Sequence, residues 1–104
     1  MTNQDNPTLS QLTADIVQLL SPEKIIVFSQ KQSTDGYLTS VKLCIIITDG
    51  DPKAAEHRLY MELENDLPFD VLVYTLAEWR HLLEIPYSFA GRIQKTGRVI
   101  YEAL

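Results

Sequence analysis

Apolar residues fall along this chain in blocks whose spacing switches between helical and extended periods. Leu9, Leu12, Ile16, Leu19 and Leu20 recur at intervals that place them on one stripe of an amphipathic helix. Thr8 and Gln11 stand at capping-box spacing, so this helix is expected to open near Thr8. Ser21-Pro22 ends it, because proline disfavours helical backbone at the preceding residue. Residues 1–7 read as a disordered lead. Lys24–Phe28 is a short, β-branched apolar run, the pattern of a buried strand. Ser29–Gly36 is polar and carries Asp35-Gly36, a turn signal. Tyr37–Thr48 is the strongest strand pattern. Val41, Leu43, Ile45 and Ile47 share one face, and Lys42, Cys44, Ile46 and Thr48 the other. Beyond Leu43 both faces are apolar, which predicts cover on both sides.

Asp49-Gly50-Asp51-Pro52 then turns the chain into a second helix, with Asp51 as its cap and Pro52 at its first position. This helix is expected to run to about Asn65, with Ala55, Leu59 and Leu63 as its core stripe. Pro68 precedes a strand over Phe69–Tyr74. Thr75 and Glu78 form a second capping box, opening a helix through about Leu83 that buries Leu76, Trp79 and Leu83. A last helix spans about Tyr87 to Thr96, with Gly97 in the C′ position. Val99-Ile100-Tyr101 reads as a short extended tail. The resulting order is α-β-β-α-β-α-α, an α/β (α+β) domain with a mixed sheet of three main strands flanked by helices.

Composition narrows this picture. At 104 residues, 45% of them apolar, the chain fits one domain, expected over 8–104. Its formal net charge of −5 repels phosphate backbones, which disfavours broad nucleic-acid binding. No apolar run approaches the length of a membrane span. A single cysteine, Cys44, cannot build a disulfide framework, and its apolar neighbours mark it as a buried small hydrophobe. Met1–Asn6 lacks the apolar stretch of a signal peptide, so the cytoplasm is the expected location.

Several strings share a frame. Val27-Phe28-Ser29-Gln30 is followed after ten residues by Val41-Lys42-Leu43, and later by the strand Phe69-Asp70-Val71-Leu72-Val73-Tyr74. Ser88-Phe89-Ala90-Gly91-Arg92-Ile93 and then Gly97-Arg98-Val99-Ile100-Tyr101-Glu102 complete it. From about Lys24 to Glu102 the chain resembles the minimal nucleotidyltransferases of the DNA-polymerase-beta type. The resemblance implies a sheet flanked by helices, with nucleotide and magnesium at one end, and transfer of a nucleotidyl group from a nucleoside triphosphate. It also implies the company of an all-helical partner, because many small bacterial members belong to toxin–antitoxin modules.

The chemistry of that frame is largely replaced. Ser29 and Gln30 stand where the family has Gly-Ser, and Val41 and Leu43 where it has Asp-x-Asp; Asp70 alone matches. Magnesium needs hard oxygen ligands, which Val41 and Leu43 do not offer. Two ions normally clamp the attacking and leaving oxygens, so losing their ligands costs orders of magnitude in rate. Asp49 and Asp51 are no substitutes, since six residues of strand put Asp49 roughly 20 Å from Leu43. Asp35 is the one acid with a stand-in position, and its simpler reading is a turn residue. His57 and His81 lack metal-type spacing and read as surface residues. Lys31, Lys42, Arg92, Lys95 and Arg98 read either as scattered surface bases or as the lining of an anion pocket.

Three functions stay open at this point. The first is a catalytically impaired nucleotidyltransferase-like domain that acts as a protein-interaction or regulatory module, such as the antitoxin-like half of a two-component system. It would need no cofactor, would bind a second copy or a small all-helical protein, and would use Trp79, Tyr87, Phe89 or Tyr101 as anchors. The second is an active nucleotidyltransferase with magnesium on atypical ligands, Asp70 and Asp35. The third is a metal-independent nucleotide sensor that uses Ser29, Gln30 and nearby bases.

Overall fold

The computed structural model describes residues 7–103. Residues 1–6 of the expected lead lie outside the described residues, and Pro7 already belongs to the first helix, α1 (Pro7–Leu20). Thr8 therefore sits inside the first turn instead of capping it, and Gln11 donates its side-chain amide to Asp15 Oδ1 at 2.8 Å. Leu9, Leu12 and Ile16 are the buried stripe. The helix stops at Ser21, whose φ of 47° turns the chain while its amide still bonds the Val17 carbonyl at 2.9 Å.

The remaining elements are β1 (Lys24–Gln32), β2 (Leu38–Ile47), α2 (Pro52–Glu62), β3 (Phe69–Thr75), α3 (Leu76–Leu83), α4 (Phe89–Thr96) and β4 (Arg98–Glu102). They build one four-stranded mixed sheet in the order β3-β2-β1-β4. β1 runs antiparallel to β2 and β4, while β2 and β3, joined through α2, are parallel. The extended tail is thus a fourth strand. Its partner is β1, more than 70 residues upstream, where Ile25 faces Tyr101 and Ile26 faces Val99.

β1 also runs farther than expected, through polar Ser29–Gln32. Pairing with β2 supplies the reason: Gln30 lies opposite Val41 and Lys31 opposite Ser40, so ladder hydrogen bonds hold these residues extended without burial. The hairpin closes through the Ser33 amide on the Tyr37 carbonyl at 2.7 Å and a glycine, Gly36, at φ 87°.

Helices cover both faces of the sheet. On one, Leu9, Leu12 and Ile16 of α1 and Ala55 and Leu59 of α2 pack on Ile25, Val27, Val41, Leu43, Ile45, Ile47, Val71 and Val73. On the other, Trp79 of α3 and Ala90 and Ile93 of α4 pack on Ile26, Cys44 and Ile46. Double cover explains the unbroken buried run Leu43–Ile47 in β2. Each fully buried Leu or Ile contributes about 1.5–3 kcal/mol relative to exposure.

Local signals fix the helix ends. Asp51 caps α2 by accepting the Lys53 amide at 3.0 Å. α2 ends at Glu62, short of Asn65, because Leu63 is already extended (ψ 132°). Thr75 and Glu78 form the capping box of α3 in both directions. α4 begins at Phe89, not Tyr87, because Ser88 is the cap: its Oγ accepts the Gly91 amide at 3.0 Å and donates to the Leu82 carbonyl at 2.7 Å. Gly97 caps the other end at an ordinary φ of −76°. Space, and not a left-handed turn, is its requirement, since a Cβ there would stand 2.5 Å from Ile26 Cγ2 and 2.6 Å from the Ile93 carbonyl oxygen.

The register shifts at three places, between Val27 and Ser29 and between Lys31 and Gln32 in the β1–β2 pair, and between Ile25 and Ile26 in the β1–β4 pair. At the first of these Phe28 is a bulge residue and alternation breaks there. At the far side of the sheet, Tyr60 of α2 stacks on Phe69 (5.5 Å between ring centroids, 4° between planes), and its hydroxyl accepts the Val71 amide at 3.0 Å.

Candidate functional site

The residues of the family-like frame divide between the two faces of the sheet. Val41 and Leu43 point under α1 and α2, where they are 1% and 0% exposed. Asp70 pairs with Lys42, not with Val41 or Leu43, and so projects from the opposite face. The bulge at Phe28 carries Ser29 to that opposite face too, where it pairs with Lys42. Ser29, Lys42 and Asp70 form a row across three adjacent strands, each exposed and about 4.8 Å from the next in the strand-to-strand direction.

This row does not fit a magnesium pair. A single carboxylate remains, and its neighbour in register on β2 is a lysine, Lys42, whose charge disfavours a divalent cation at this row. Asp35 does not help. It sits in the hairpin turn beyond Leu38, and Leu38 alone is ~13 Å along β2 from Lys42. Among the described residues no three His, Cys, Asp or Glu side chains gather into a metal-binding group.

Gln30 points toward the Val41 face at the outer end of the hairpin. There Arg98 of β4 donates from Nη2 to Gln30 Oε1 at 3.3 Å. Ser29, Gln30, Thr96 and Arg98 line a shallow open groove of about 300 Å³ with Val27 and Phe28. It offers one cation and a few neutral polar groups, enough to receive an anion but not to position a metal-bound triphosphate.

Two buried or half-buried groups on the α3–α4 face are shifted by burial. Cys44 is fully buried, and burial pushes its thiol up from 9.0 to about 12, so it holds no reactive thiolate at neutral pH. Tyr74 is shifted upward by desolvation, then by Cys44 and Glu78. His57 and His81 are exposed on α2 and α3.

A second feature lies at the corner between α3 and α4. Ile85, Pro86 and Tyr87 are exposed there, and Tyr87 is fully so, at 102%. Tyr87 has a φ of 62°, in the left-handed region that bulky side chains rarely adopt. Together with Arg92 and Lys95 these residues line a groove of about 410 Å³. Next to it Phe89, also exposed, meets Phe28 edge-on, with ring centroids 5.6 Å apart. Of the aromatic anchors expected from sequence, Trp79 belongs to the core, Tyr101 is half-buried, and Tyr87 and Phe89 face outward.

Sequence reasoning missed the role of Lys42, which the register places between Ser29 and Asp70, and the Arg98–Gln30 contact, which spans 68 residues. Pro86 marks the break between the last two helices in the sequence, but the exposure of Ile85 and Pro86 beside Tyr87 was not read from it. No helix is long and apolar enough to cross a membrane among the described residues. No protein-family model matches this chain, and a search of curated proteins finds no match.

Proposed function

We propose that this chain is a non-catalytic protein-interaction module on a nucleotidyltransferase-like layout, of the kind that serves as the antitoxin-like half of a two-component system. The observation that carries this reading is the burial of Val41 and Leu43. They are interior packing residues beneath two helices, on the face opposite Asp70, so the positions that would have to grip metal are neither acidic nor open nor on one side. Exposed apolar residues at the α3–α4 corner supply what an interaction module needs.

A second reading, nucleotide binding without metal, draws on the groove that holds Ser29, Gln30 and Arg98. Calorimetric titration with each nucleoside triphosphate, with magnesium and then with chelator, separates the possibilities. The module reading expects no magnesium-dependent binding, together with co-purification of a partner from the cells that make the protein. Tight magnesium-dependent binding that Asp70→Ala abolishes overturns it and restores an enzyme with atypical ligands. Binding that persists in chelator supports the sensor. A chain that stays monomeric and retains no partner also overturns the module reading.

A further inference from the structure

We infer that the α3–α4 corner, with the exposed side of α4, is the docking surface for an acidic amphipathic helix of a partner protein; this rests on the interaction-module reading and names its surface and ligand chemistry. The chain is acidic overall, with 14 Asp and Glu against 9 Lys and Arg. Yet the groove at the corner is lined by two cations, Arg92 and Lys95, and by no acid; Glu84 stands at its margin, and Arg98 belongs to the Gln30 groove on the other face of the sheet. The groove is therefore locally basic on an acidic chain.

Arg92 and Lys95 are exposed and make no ion pair; the pairs among the described residues are Lys24–Glu102 and Arg58–Glu62. They stand three residues apart on α4, about 4.5 Å along its axis, close to the spacing of acids one turn apart on a second helix. Ile85, Pro86 and Tyr87 flank them as an apolar patch, and Gly91 presents no side chain in the groove between. An occupant that satisfies both halves carries apolar residues on one side and Asp or Glu beside them. Tyr87 fits the anchor role: it projects wholly into solvent from a backbone conformation that costs about 1–3 kcal/mol, a cost that Gly would avoid. Two cations can meet a pair of carboxylates, whereas binding of a nucleic-acid backbone rests on neutralising many phosphates, which this groove does not offer.

The test titrates the full chain, ¹⁵N-labelled, with two synthetic helical peptides of about 18 residues, long enough to span α4. They share one leucine face and differ only in having Glu or Lys on the polar face. Single-stranded RNA is the third ligand. The expected result is binding of the Glu peptide that shifts the amides of residues 85–96 and weakens as salt rises. Arg92→Glu with Lys95→Glu lowers its affinity by about tenfold or more. Tyr87→Gly raises the melting temperature while it weakens binding, a split that a merely structural tyrosine would not produce. The inference is overturned if the Glu peptide fails to bind or maps elsewhere, if the Lys peptide binds as well, or if RNA shifts the same amides. Self-association broken by the charge reversals overturns it in favour of a second copy. A co-purified partner retained by the Arg92/Lys95 variant refutes this surface and leaves the module reading standing; absence of any partner refutes the module reading.

Discussion

Gly97 shows how one position joins two parts of the chain. It ends α4 directly over β1, and a methyl group there would stand inside contact distance of Ile26, the Ile93 carbonyl and the Val27 carbonyl. Two of these three atoms are backbone and cannot swing away. Gly97→Ala is expected to cost about 1–3 kcal/mol by overpacking, read as a lower denaturant midpoint at unchanged slope. The sequence placed this glycine correctly at a helix end but for the wrong reason, since C′ glycines are normally chosen for positive φ. Spatial neighbours from a distant strand leave no trace beside the residue they constrain. The same holds for Lys42. From sequence it reads either as a surface base or as part of an anion pocket, and only the strand register shows Asp70 and Ser29 beside it.

The elements were legible where their signals are local. Asp51-Pro52 at α2 and Thr75 with Glu78 at α3 need only four neighbouring residues to make their bonds, and both caps form as read. Thr75→Ala removes the acceptor for the Glu78 amide and should cost about 1 kcal/mol, seen as a small fall in thermal midpoint with the native fold retained. Thr8 with Gln11 has the same spacing and no cap there, because the helix begins earlier and Gln11 turns to Asp15. Strands were legible only where burial writes a pattern. β2 satisfies that over its inner half; the outer arm of β1 and the whole of β4 are held by pairing, which half-exposed residues do not advertise. The bulge at Phe28 was invisible for a related reason. Alternation counted from Val27 puts Ser29 on the α1–α2 face, and one extra residue reverses that.

Across the entire chain, the mixed helix-covered sheet followed from the order of elements, whereas the disposition of the candidate site depended on which face each strand shows. That disposition makes a strong prediction for Leu43→Asp. The substitution restores an acid at a family-like position yet buries an unpaired carboxylate in a core site with no exposure. The penalty of several kcal/mol is comparable with the roughly 5–15 kcal/mol that holds a domain of this size together. The variant should be largely unfolded at neutral pH by circular dichroism. It should regain structure as acid neutralises the carboxyl, because burial raises the folded-state pKa above the unfolded one and the penalty fades below it. A folded variant that acquires magnesium affinity would contradict the assignment of this face to the interior. The phenol of Tyr60 has a consequence of another kind. By occupying the amide of Val71 it obstructs one flank of the sheet, while the flank formed by β4 is interrupted only by a bulge at Ile100. Ribbon-to-ribbon stacking that could continue without limit needs two receptive margins. With one of them plugged, any such growth in this protein terminates at a pair, and Tyr60→Phe should reveal itself as a slow increase in light scattering under mild heating.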